Sequence, residues 1–167
     1  MSSMSSKIEK DPKGMGQLNL LESISLVSLK LVREKDSYYS SKSIKSPCDL
    51  AQIVQRFLGQ ADREVFLTVN MSTANTVNSI HVVSVGTLDR AIVHPREVFK
   101  AAILSNAANI ALAHNHPSGE LNPSQEDIAL TKQLIQSGEL LGIKVLDHVI
   151  VAGDRYLSFL EQKIGGF

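Results

Sequence analysis

Two histidines one residue apart, His114 and His116, are the side chains in this chain best suited to chemistry. They stand in the stretch AHNHPSGELNPSQED, residues 113–127, which also carries Ser124 and Asp127. In an extended chain residues i and i+2 share a face, so both imidazoles can converge while Asn115 points away. Ser124 and Asp127, three apart on a helix, share a face as well. Two imidazoles and one carboxylate are a common ligand set for catalytic zinc, with the fourth tetrahedral position left to water. Such a zinc acidifies the water and polarises a carbonyl. An HxH pair alone is a weak signal, and the plain alternative is a polar turn. HxHP followed by Ser and Asp at this spacing, at a strand-to-helix junction, favours the metal.

The elements that must position these groups lie on either side. The apolar run Ile110, Ala111, Leu112, Ala113 reads as a strand leading in. Asn122 as N-cap, Pro123 at the first helical position and the text DIALTKQLI predict a helix over 123–138 leading out. Residues 1–20 form an expected disordered tail. Residues 21–45 follow as an N-terminal strand (24–32) and a basic linker, where Lys30, Arg33, Lys35, Lys42 and Lys45 outnumber Glu34 and Asp36. That linker reads as solvated loop rather than a nucleic-acid contact.

The folded domain is expected over 46–167. Ser46 caps a first helix with Ile53, Val54, Phe57 and Leu58 as its buried stripe and Gly59 as its end. Residues 64–70, EVFLTVN, and 77–85 predict a hairpin across the turn MSTANT. A turn over 86–89 leads to a helix over 95–105 with Val98, Ala101, Ala102 and Leu104 inward. After the metal helix come short strands at 143–145 and 148–151, then Gly153-Asp154 turning into 156–158. Hairpins mixed with helices exclude an all-parallel doubly wound sheet. An α/β domain, one mixed β-sheet flanked by helices, fits.

A chain of 167 residues can bury one real core. With 17 basic and 17 acidic residues, no global field draws it to nucleic acid or membrane. No apolar run is long enough to span a bilayer and the start lacks a signal-peptide core, so a cytoplasmic location is expected. The lone Cys48 precludes an internal disulfide and fits a reducing compartment. It also excludes the His/Cys/Cys zinc site of nucleobase deaminases, which needs CxxC. Near a helix start its thiol could be activated, but it reads as an inert small apolar residue.

Metal-assisted hydrolysis needs a proton acceptor and a donor to the oxyanion. Glu64 is the best candidate base, since it opens an otherwise apolar strand, although spacing alone favours a solvated strand-end charge. Ser124, in a helix first turn, equally suits simple capping. Asp147–His148 reads as a structural hydrogen-bond pair in preference to a group behind the metal. His81 and His94 read as surface or packing residues. Arg90 and Arg96 read as surface charge rather than holders of an anion.

His114-Asn115-His116-Pro117, six residues, Ser124, two residues, Asp127 resembles the JAMM (MPN+) metalloprotease motif. The wider text, including ADREVFLTVN, SVGTLDRAIVHPREVFKAAILSNAANIALAHNHPSGELNPSQEDIALTKQLI and GIKVLDHVIVAGDRYLSF, resembles the RadC-like branch, the UPF0758 family, from about Ile44 onward. The resemblance implies an MPN/JAB-like fold with the three-layer arrangement of cytidine deaminases. By position it makes His114, His116 and Asp127 the zinc ligands. It makes Glu64 the general base for the metal-bound water, and has Ser124 orient the site and stabilise the oxyanion. The implied function is a zinc-dependent peptidase or isopeptidase with a peptide or protein substrate. Eukaryotic JAMM relatives cleave isopeptide bonds to ubiquitin-like proteins, whereas the RadC-like branch was named for DNA repair.

Two departures stand out. Asn115 takes the place of the Ser or Thr usual in deubiquitinating relatives. The stretch before residue 46 is too short for the helix-hairpin-helix module that RadC-like proteins usually carry, so weak or no direct DNA binding is expected. The alternative function is a non-catalytic accessory module of DNA repair or replication with a remnant zinc site. Glu64 weighs against it, because a degenerate module has no need of that carboxylate.

Overall fold

A computed structural model describes residues 27–28, 30–32, 43–58, 61–86 and 93–167. The first helix, α1 (Pro47–Leu58), starts as expected at Ser46. The Ser46 hydroxyl accepts from Asp49 N at 3.2 Å, and Asp49 Oδ2 accepts from Ser46 N at 2.9 Å. Each side chain satisfies a backbone donor that the helix start leaves open. Its inward face is Leu50, Ala51, Ile53 and Val54. Phe57, expected inside, is exposed, because the buried stripe lies one turn nearer the N-terminus.

Strands β1 (Val65–Met71) and β2 (Val77–Val85) form the expected antiparallel hairpin. Helix α2 (Pro95–Leu104) leads to β3 (Asn109–Asn115), then helix α3 (Gln125–Leu141) to β4 (Lys144–Ala152) and β5 (Arg155–Ser158). A four-residue helix, α4 (Phe159–Gln162), was not legible beforehand. The sheet order is β2-β1-β3-β4-β5, with β3 and β4 parallel and the other pairs antiparallel. The mixed sheet of the α/β expectation is therefore present.

Side chains on successive strand residues face opposite ways. Leu67, Val69 and Met71 of β1, Ala111 and Ala113 of β3, and Val149 and Val151 of β4 pack under α1. Phe66, Ile110, Leu112 and Val145 pack under α2 and α3 with Val98, Phe99 and Leu134. The result is three layers, helix on sheet on helices. Fully burying a side chain such as Leu67 or Leu112 contributes about 1.5–3 kcal/mol.

Several expectations are corrected. The strands foreseen at 143–145 and 148–151 are one continuous strand, β4, with a register shift opposite Ile110 and Leu112 of β3. The shift changes the parity of the strand, so Val145 and His148, three apart, face the same layer. Helix α3 is capped by Ser124 rather than Asn122. The reason is the Ser124–Asp127 capping box, whose two reciprocal bonds outweigh the single bond an Asn cap would supply. The helix also runs past Gly138 to Leu141, with Gly142 at φ 69° as its left-handed stop. Gly138 is instead a point of close approach. A Cβ there would run into the carbonyl oxygen of Ile143 and lie 3.3 Å from both Phe99 and Val145.

The tail 1–20, most of the basic linker, Gly59, residues 87–89 and Arg90 lie outside the described residues. Of the strand expected over 24–32, residues 27, 28 and 30–32 are described and belong to no strand. No helix among the described residues is long and apolar enough to cross a membrane.

Candidate metal centre

The C-terminal end of β3 brings the two histidines to one point. His114 closes the α2/α3 face of the strand and is fully buried, and His116 follows just beyond the strand end. Asp127 enters from the first turn of α3. His114 Nε2 lies 3.0 Å from His116 Nε2 and 3.5 Å from Asp127 Oδ1, and His116 Nε2 lies 3.9 Å from Asp127 Oδ2. A tetrahedral zinc with bonds of about 2.0–2.1 Å sets its ligand atoms about 3.3–3.4 Å apart. The observed separations bracket that edge, and among the described residues this is the one cluster of His, Cys, Asp and Glu that could hold a metal.

The chemistry of the donor set agrees. His116 Nδ1 lies 2.8 Å from the carbonyl oxygen of Glu120. A carbonyl only accepts, so the imidazole proton sits on Nδ1 and Nε2 presents a lone pair. Burial lowers the His114 pKa to about 4, opposed by the Asp127 charge and aided by His116, so this imidazole is neutral near pH 7. Two imidazole Nε2 atoms and a carboxylate oxygen converging on one point fit a cation.

The Asp127 carboxylate divides its oxygens. Oδ2 accepts from Ser124 N at 2.8 Å and from the Ser124 hydroxyl at 2.6 Å. Oδ1 is left to face His114. The Ser124 hydroxyl oxygen accepts in turn from Asp127 N at 3.0 Å. Ser124 thus stands at the site and its proton is held by Asp127.

Glu64 immediately precedes β1, which runs antiparallel to β3 with Phe66 opposite His114. Its carboxyl is half-buried, and its pKa is raised by burial and then by the Asp127 charge, with His116 opposing. The acid therefore shares a field with two of the three candidate ligands. Asn115 does point away from the histidines, as expected, but it has a task that the sequence reading missed. Its Oδ1 accepts from Val65 N at 2.8 Å and its Nδ2 donates to Arg63 O at 2.9 Å. One side chain thus grips the backbone on both sides of Glu64.

Asp147 and His148 are hydrogen-bonded as expected, but through the backbone N–H of His148, and their side chains turn to opposite faces. Asp147 accepts from His148 N, Leu160 N and the Ser158 hydroxyl, and it ties α4 to β4. His148 turns the other way, and its Nε2 lies 2.8 Å from His114 Nδ1. Only the bulge in β4 revealed this, since strict alternation places residue 148 on the opposite face from Val145. His94 caps α2, its Nδ1 accepting from Arg96 N, and Arg96 pairs with Glu97 at the surface. His81 lies on β2, away from the cluster. A cleft of about 200 Å³ opens beside His116, lined among others by Asn115, Pro117, Gln55 and Gly153. A larger cavity of about 530 Å³, lined by residues of α1, β4 and the C-terminal half of α3, touches Asp147 but none of the three candidate ligands.

Comparison with known proteins shows the family. The RadC-like JAB domain family matches residues 44–164. This chain belongs to that family. A UPF0758 protein of Desulfitobacterium hafniense is 50% identical over 121 residues, which cover 72% of this chain and 53% of that protein. Another, from Moorella thermoacetica, is 45% identical over 138 residues, covering 82% of this chain and 60% of its own length. A third, from Methanosarcina mazei, is 41% identical over 121 residues, 72% of this chain and 53% of that protein. The RadC-like chain thus spans just over half the length of these relatives.

Proposed function

We propose that the domain is a zinc-dependent hydrolase of JAMM type that cleaves peptide or isopeptide bonds. The observation that carries this reading is the convergence of His114 Nε2, His116 Nε2 and Asp127 Oδ1 at ligand spacing, with Glu64 at the start of the strand paired to β3. His114, His116 and Asp127 would hold the metal. When bound, zinc supplies an acidified water and polarises the scissile carbonyl. Glu64 takes the water's proton and returns it to the leaving nitrogen, a transfer helped by a pKa nearer neutrality than an ordinary carboxylate. The grip of Asn115 on Arg63 O and Val65 N would fix the backbone from which Glu64 reaches the metal-bound water. Ser124 orients Oδ1 of Asp127 by holding Oδ2. Rotation about χ1 would release its hydroxyl to stabilise the oxyanion.

The exposed single thiol of Cys48 suits a cytoplasmic protein, and the balanced charge suits a partner other than DNA. The decisive experiment profiles zinc-loaded protein on peptide and isopeptide libraries with Glu64→Gln alongside. The variant keeps its fold and its zinc and loses about 10²–10⁴ in turnover. Near-normal turnover by Glu64→Gln on a zinc-dependent substrate would remove Glu64 from the reaction.

A further inference from the structure

Behind the candidate metal centre runs a hydrogen-bonded chain with one permitted direction. It starts at the backbone carbonyl of Asp127, which can only accept. The Thr131 hydroxyl lies 2.6 Å from that oxygen and donates its only proton there. Thr131 Oγ1 also lies 2.6 Å from His148 Nδ1. With its proton committed, the hydroxyl must accept, so His148 carries its proton on Nδ1. His148 Nε2 is then a lone pair, and the contact of 2.8 Å with His114 Nδ1 requires the proton on His114. His114 Nε2 is left bare, facing His116 and Asp127. Every member of the chain is buried or half-buried, with His114, Thr131 and His148 fully so. Phe66 and Phe159 wall in the imidazole of His148, with ring centroids 5.5 and 4.6 Å away, so no water competes for its nitrogens.

We propose that His148 and Thr131 are positioning residues that lock His114 in the tautomer with Nε2 free for the metal, and tie it to the helix that supplies Asp127. The chain runs from the Asp127 carbonyl through Thr131 and His148 to His114, whose bare Nε2 faces the Asp127 carboxylate 3.5 Å away across the space a metal would fill. Two of the three ligands therefore hold one another in place through protein alone. Without the Thr131 hydroxyl, His148 can move its proton to Nε2 and donate to His114 Nδ1. His114 would then carry its own proton on the nitrogen that faces the metal. Partners of this kind typically alter metal affinity by about 10–100-fold when removed.

The proposal rests on the metal-centre reading, and two readouts keep the two apart. The first is ¹⁵N–¹H correlation of the imidazoles in chelator-treated protein, which reports the tautomer with no metal present. Wild type should show His114 protonated on Nδ1, and Thr131→Val should shift it to Nε2. The second is zinc affinity by competition with a chromophoric chelator. His148→Phe and Thr131→Val should each weaken zinc about 10–100-fold. His148→Gln, whose amide oxygen can accept from His114 Nδ1, should recover most of the loss. A purely structural role gives no such rescue and leaves the tautomer unmoved. Should His148→Phe not fold, Thr131→Val, close to isosteric, carries both readouts. His114 protonated on Nε2 in wild type overturns the proposal whatever the zinc result. Zinc affinity within threefold of wild type in Thr131→Val overturns it while leaving the metal centre intact. A wild type that takes no zinc at these residues overturns both.

Discussion

Replacing Asp127 by Asn and by Ala separates two jobs that one carboxylate performs. Oδ2 closes the capping box with Ser124, and Oδ1 faces His114 at 3.5 Å. An amide keeps one oxygen for the box and turns an NH₂ group, a donor, toward the imidazoles, where it cannot ligate a cation. Asp127→Asn therefore loses the metal and keeps most of the cap, whereas Asp127→Ala loses both. Loss of a cap costs about 0.5–2 kcal/mol. Zinc held at a hundred times its Kd adds about 2.7 kcal/mol to the folded state. For a domain of this size one kcal/mol moves Tm by about 4 °C, so zinc should raise the wild-type Tm by about 10 °C. In chelator, the same scaling puts Asp127→Asn within about 2 °C of wild type and Asp127→Ala about 4 °C lower. Neither variant should respond to zinc. Thermal melts with zinc and with chelator, joined to calorimetric titration, measure each of these shifts. A full zinc shift in Asp127→Asn would show that the carboxylate is no ligand. Equal melting of the two variants in chelator would show that the capping box contributes nothing.

Three further outcomes follow from other contacts. Asn115→Ala leaves Val65 N and Arg63 O without their partner, which costs about 1–3 kcal/mol in chemical denaturation; zinc stoichiometry should hold while turnover falls, and an unchanged turnover would detach Asn115 from Glu64. Gly138→Ala forces a Cβ against the Ile143 carbonyl, with Phe99 and Val145 too close to yield, and should cost at least about 1–3 kcal/mol with zinc binding unaltered; a stabilised variant would mean that α3 and β4 sit further apart. In chelator, Glu64→Gln should be slightly more stable than wild type at neutral pH. The folded pKa of Glu64 lies above the unfolded value of 4.5, so the two proteins match below that value. The gap opens as pH rises through the folded pKa, and for a half-buried group partly screened by solvent it stays under about 1 kcal/mol. A wild type more stable than the variant at pH 7 would contradict the raised pKa.

The sequence by itself marked the candidate ligands and determined the class of fold. His114 and His116 had to share a strand face because side chains alternate, and an S-x-x-D start had to bring Asp127 to the end of that strand. Period and turn chemistry located β1, β2, α1 and α2 to within a residue or two, since these are local properties. Where two local signals competed, as with Asn122 and Ser124 for the cap of α3, only the closed Ser124–Asp127 pair decided. Gly138 looked like a helix end because a glycine's freedom is visible in sequence and the neighbour that forbids its Cβ is not. The same holds for His148. Its face depends on a bulge in β4, and a bulge is set by how two strands register against each other across the sheet. Asn115, Thr131 and His148 act through partners 52, 17 and 34 residues away, so their roles existed nowhere in the local pattern. Alternation and capping are written along the chain, whereas the support behind a ligand is written between elements, and only packing brings those elements together.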